Sequence, residues 1–106
     1  MSLVGTYVNV AQNFKLVIAN ANDSNGAANG TMYWGPHTIP VNIHYHFENN
    51  VGPITNLWVA GGVDNPNKYI GAAGSTNNQN YSSIQIGISL ATDGRVDTFH
   101  TQLDRQ

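Results

Sequence analysis

The sequence predicts an all-β chain: an eight-stranded antiparallel up-and-down β-barrel, one domain spanning residues 1–106. Three observations predict it. No window of a dozen residues carries apolar positions at helical spacing, because Gly or Asn interrupts nearly every candidate. Two segments alternate strictly between apolar and polar residues, which is the period of a strand with one buried face. The connectors between segments are too short for the crossovers that parallel strands need.

The first segment is Gly5 to Val10, closed by Gln12-Asn13; the second, Lys15 to Asn20, runs towards the turn Asn25-Gly26. Ala27 to Trp34 follows and ends at Gly35-Pro36-His37. Thr38 to Phe47 is the clearest strand, with Ile39, Val41, Ile43, Tyr45 and Phe47 on one side and Thr38, Pro40, Asn42, His44 and His46 on the other. Asn49-Asn50-Val51-Gly52-Pro53 breaks the chain before Thr55 to Val63, and Asp64-Asn65-Pro66-Asn67 breaks it again before Lys68 to Ser75. Tyr81 to Leu90 places Ile84, Ile86, Ile88 and Leu90 against Ser83, Gln85, Gly87 and Ser89, and Asp93-Gly94 leads into Arg95 to Leu103. Eight consecutive antiparallel strands can close so that the last pairs with the first, removing both edges and leaving an interior just large enough for one small ligand. Gly61-Gly62 and Gly71-Ala72-Ala73-Gly74 suit sharp bends or close backbone approach.

Charged residues are 9% of the chain, with Lys+Arg 4 against Asp+Glu 6, so no basic footprint for nucleic acid or an anionic membrane is expected. Amides and hydroxyls take the place of charge, and they hydrogen-bond neutral polar ligands as well as water. The absence of cysteine excludes disulfides, thiolate metal sites and cysteine nucleophiles. Met1-Ser2-Leu3-Val4 has neither a basic start nor a long apolar run, so no signal peptide or membrane span is expected there, and secreted and cytoplasmic settings both stay open. Asn22-Asp23-Ser24, Asn29-Gly30-Thr31 and Asn80-Tyr81-Ser82 fit the glycosylation acceptor pattern, which a chain rich in Asn and Ser also produces by chance. A chain this short buries a limited fraction of its surface, so a homodimer or homotetramer is expected.

Several short motifs resemble the avidin and streptavidin family. Leu3-Val4-Gly5-Thr6-Tyr7-Val8-Asn9 resembles that family's Gly-Thr-Trp-x-Asn first strand, with Tyr7 in place of tryptophan. Gly30-Thr31-Met32-Tyr33 resembles the Gly-x-Tyr of its third strand, Asn56-Leu57-Trp58 the Leu-Gly-Trp of its fifth, and Asp97-Thr98-Phe99 the Asp-Thr-Phe of its last. Asn13 stands where the pattern has a serine, and Gly35-Pro36-His37 replaces a longer loop. The resemblance implies a non-catalytic binder of biotin or a biotin-like ligand. In it Asn9 and Tyr33 hydrogen-bond the ureido oxygen, Asp97 accepts from a ureido N–H, Trp58 walls the apolar part of the ligand, and Asn13 is counted with them among the ligand-binding positions. Such a pocket is physically coherent, since a buried carbonyl needs donors and an aromatic face supplies dispersion contact.

The alternative function is a carbohydrate-binding, lectin-like module, with aromatics stacking on sugars and loop amides such as Asn65 and Asn78 bonding hydroxyls. His44 and His46 share one side of a strand at a spacing that can hold a metal, but no third ligand is evident, so neither metal nor cofactor is expected. If that side points inward, the pair instead lines the cavity. No nucleophile elbow, phosphate loop or paired-carboxylate segment is present, and no enzyme activity is expected.

Overall fold

Alternation along each strand puts its apolar residues on one face, and closing the sheet turns that face inward. The computed structural model describes residues 2–48, 50, 52–64 and 67–106. Its strands are β1 (Gly5–Asn9), β2 (Phe14–Asn22), β3 (Ala27–Trp34), β4 (His37–Glu48), β5 (Ile54–Asp64), β6 (Asn67–Asn77), β7 (Ser83–Thr92) and β8 (Arg95–Arg105). Each pairs antiparallel with the next and β8 returns to β1, so the sheet is a closed barrel in sequence order. Of the expected connectors, Asn49, Val51, Asn65 and Pro66 lie outside the described residues.

The inward faces are those that the alternation marks. Ile39, Val41, Ile43 and Tyr45 of β4 are buried, as are Ile84, Ile86, Ile88 and Leu90 of β7. With Leu16, Ile18, Met32, Leu57, Val59, Ile70 and Leu103 they form one apolar cluster that runs through the barrel. An interior hollow enough for one small ligand was expected. Instead apolar side chains from all eight strands pack there as one buried cluster, with small residues such as Ala28 and Ala72 among the large ones. Gly61 and Gly74 are the close approaches the sequence suggests: a Cβ there would lie 2.1 Å from the Pro40 carbonyl oxygen and 2.3 Å from that of Gln85. At Gly71 a Cβ would meet open space.

Most strands extend beyond their expected bounds, because an antiparallel partner of equal length supplies hydrogen bonds past the last alternating residue. Two residues run the other way: Val10 falls outside β1, which ends at Asn9, and Tyr81 precedes β7. Tyr81 was expected to open a strand, yet it takes φ 50° in the preceding turn and buries its ring. Asp93 and Gly94, with φ 46° and 85°, make the tight β7–β8 turn.

The seam between β1 and β8 holds only two residue pairs, Tyr7↔Arg105 and Val8↔Asp104. Side chains complete it. The Arg105 guanidinium donates to the carbonyls of Ser2 (2.9 Å) and Val4 (2.8 Å) and to the Tyr7 hydroxyl (3.0 Å), which in turn donates to the Leu3 carbonyl at 2.7 Å. Gly5 leaves room for this group, since a Cβ there would approach the guanidinium carbon to 3.1 Å. Replacing Arg105 by Ala is expected to lower the unfolding free energy by about 2–3 kcal/mol, the scale of hydrogen bonds to a charged donor. Arg105→Lys should recover only part of it, because one ammonium cannot reach all three oxygens in the guanidinium's fork geometry. Urea denaturation of the three proteins checks this.

Candidate functional site

The barrel has two unlike ends. At one, the β2–β3 and β6–β7 turns meet the N-terminal segment, and three phenols close the interior. Tyr7 is held by Arg105 and Leu3, and the Tyr45 hydroxyl donates to Asp23 Oδ1 at 2.6 Å. Burial pushes the Tyr7 pKa up, and the Arg105 charge opposes the rise. Burial also raises Tyr45, assisted by its hydrogen bond to Asp23, and it raises Tyr81 in spite of the nearby Thr55 hydroxyl.

The other end carries the β1–β2, β3–β4 and β7–β8 turns, and its inward layer is aromatic rather than phenolic. Phe14 and Phe99 meet edge to face at 5.7 Å, Trp34 lies 6.3 Å from Phe99, and His37 stacks on Trp34 at 5.8 Å. Phe14 is buried, whereas Trp34 and Phe99 are only partly covered. This layer floors a shallow mouth. Asp97 stands on the inward side of β8, two residues rimward of Phe99, with Arg95 at 3.4 Å.

The five residues expected to bind ligand divide among three places. Asn9 and Asp97 share the inward face at this end, on adjacent strands. Asn9 is already engaged: its Nδ2 donates to Thr101 Oγ1 (2.8 Å) and the Gln102 carbonyl (3.2 Å), and its Oδ1 accepts from the Gln12 backbone N–H (3.0 Å). Asn13 takes φ 54° in the β1–β2 turn, a conformation asparagine tolerates, and its carbonyl accepts from the Gly35 N–H at 3.1 Å. Tyr33 points outward, its ring 4.6 Å from the Lys15 ammonium. Asn13 and Tyr33 meet at a depression of about 300 Å³ on the rim, lined also by Lys15 and Gly35, and Asn9 borders it from the inward side. Trp58, expected to wall the ligand, is on the outer surface of β5, 48% exposed and 5.9 Å from the His44 ring. His44 and His46 face outward as well, not into a cavity.

Trp34, His37 and Phe99 were not singled out as mouth residues. The signal was present: Trp34 shares the parity of Ala28 and Met32, and Phe99 that of Thr101 and Leu103, so period two alone turns them inward. Asn65, a loop residue expected to contact sugar, lies outside the described residues.

Comparison of the chain with family models, curated proteins and solved structures found no match. The closed eight-stranded barrel is compatible with an avidin-like architecture.

Two outcomes follow from this geometry. Asn9→Ala should destabilise the barrel by about 1–3 kcal/mol with no ligand present, because it strips partners from Thr101 and the Gln12 N–H; thermal and urea unfolding check it. The second is alkaline sensitivity. Native Tyr7, Tyr45 and Tyr81 hold their protons above the ordinary phenol value of 10.0, so above that pH the unfolded chain binds fewer protons than the native one. Stability owed to these groups should be intact below pH 10.0 and fall as pH climbs past it. Tyr45→Phe should reduce that fall, as read from melting temperature against pH alongside phenolate absorbance.

Proposed function

We propose that this chain is a non-catalytic binding protein that takes a small, neutral or weakly polar molecule of the biotin kind at the aromatic end of its barrel. The difference between the ends carries the reading. Partly covered Trp34 and Phe99 face the mouth at one end, while the phenols of the other are buried and two of them, Tyr7 and Tyr45, are bonded to protein groups. Aromatic faces supply contact area to a ring, and Asp97 offers an acceptor to a ligand N–H beside them. With the interior filled, the ligand rests on this floor instead of entering deeply.

Calorimetric titration with biotin, repeated by tryptophan fluorescence, tests it. Heat and a fluorescence change are expected for the wild type, with affinity about tenfold or more weaker in Trp34→Ala, of the order of one lost aromatic contact. Trp58→Ala should bind as the wild type does. No heat and no thermal shift with biotin would remove biotin as the ligand.

A second reading, a lectin-like module, is favoured by one observation, the exposed Trp58 beside His44 on an uncharged stretch of barrel wall. A glycan array with Trp58→Ala as the loss-of-binding control separates it from the first.

A further inference from the structure

The depression on the outer rim is a place where unpaired donors collect. Lys15 of β2 and Tyr33 of β3 stand opposite each other in the ladder, both pointing outward, and Val8 of β1 is next in the same row. Rimward of that row two turns are tied together: the Asn13 N–H donates to the Val10 carbonyl and the Gly35 N–H to the Asn13 carbonyl, each at 3.1 Å. The row and the two turns frame the space of about 300 Å³.

Each polar side chain on its outward side is free. Among the described residues the salt bridge is that of Arg95 with Asp97, so the Lys15 ammonium has no carboxylate and rests 4.6 Å from the centre of the Tyr33 ring. The hydroxyls of Tyr7, Tyr45 and Tyr69 are bonded within the protein; that of Tyr33 is not. Asn22, Asn25, Asn77 and Asn80 spend their side chains on their own turns, whereas Asn13 holds its turn with the backbone and keeps its amide beside Gly35. No Asp or Glu lines the space. The acid in the same row, Asp104, pairs with Val8 and so stands two strands, ~10 Å, from Lys15, where it accepts from Gln102 Nε2 at 2.7 Å.

We infer that this depression binds a small carboxylate bearing a flat apolar group, an aromatic monocarboxylate, at a site separate from the mouth. One cation with two neutral donors beside it suits a planar anion of single charge, whose two oxygens can accept from all three. A phosphate dianion would leave a charge unmatched. Val8 and the exposed Val10 supply apolar contact for the ring. The tied turns and the seat of the ammonium on the Tyr33 ring set the donors in advance, which lowers the ordering cost of binding. Asn9 takes no part, because its side chain is already bonded to Thr101, Gln102 and the Gln12 N–H.

NMR titration of the isotope-labelled full chain with naphthoate, with naphthamide and acetate as controls, tests the inference. Naphthoate should give saturable shifts at the backbone amides of Asn13, Lys15 and Gly35. Naphthamide and acetate, each lacking one half of the match, should bind about tenfold or more weakly. Lys15→Met should weaken naphthoate by about tenfold or more, the scale of one hydrogen bond to a charged donor, while Lys15→Arg retains most of the affinity. Lys15 is exposed, so neither variant disturbs the core. Added salt should weaken naphthoate and leave naphthamide unchanged. An absence of shifts at those amides, a control bound as tightly as naphthoate, or unchanged affinity in Lys15→Met would each overturn it. Naphthoate shifts confined to Trp34 and Phe99 would overturn it too. Biotin binding is scored by Trp34→Ala and naphthoate binding by Lys15→Met, so the mouth reading and this one fail independently.

Discussion

Closure of β8 onto β1 is the constraint on which everything else in this molecule rests. The two strands share few pairs, since β1 is the shortest strand of the barrel, and the Arg105 guanidinium does what ladder hydrogen bonds do elsewhere. It gathers the carbonyls of Ser2 and Val4 and the Tyr7 hydroxyl from the opposite terminus of the chain, and stacks near the Tyr7 ring. Asn9 fastens the same seam nearer the other end. Without these contacts both edges would be free, and the apolar interior would be open to water along one side.

Once the seam is shut, the molecule has three kinds of surface, each with its own chemistry. At the phenolic end the Tyr7 and Tyr45 hydroxyls are bonded inside the protein, while the buried Thr55 Oγ1 has no partner among the described residues. The aromatic end carries ring faces that the described residues cover only in part. The wall over β5 to β8 exposes Trp58, Tyr69 and Val96 around a shallow depression. With so few charges on the chain, short-range forces weigh most at each of these surfaces: dispersion, apolar burial and short hydrogen bonds.

Much of the architecture was legible in the alternation. Ile39 to Tyr45 and Ile84 to Leu90 face inward as their period requires, and Asp93-Gly94 turns where a tight hairpin was expected. The candidate site was less legible. Tyr33 and Trp58 were matched to a ligand pocket on short motifs, yet their parity beside Met32 and Leu57 turns them to the outside. Of the rings that do face the mouth, Trp34 is one position from Tyr33 and Phe99 two from Asp97. In a strand a shift of one residue exchanges inside for outside, so a motif aligned without its register misplaces the side chain.

By itself the sequence determined the strand count, the antiparallel order, the inward residues of the most regular strands, and a surface without strong charge. Period-two patterning and short turns are local properties, so neighbouring residues carry them in full. Which groups meet was decided only by the tertiary structure. Arg105 reaching Ser2, Asn9 spending its amide on Thr101, and Phe14, Trp34 and Phe99 sharing one floor each join segments far apart in the chain. These contacts follow from the stagger with which eight strands close on themselves, a quantity set by all the pairings together.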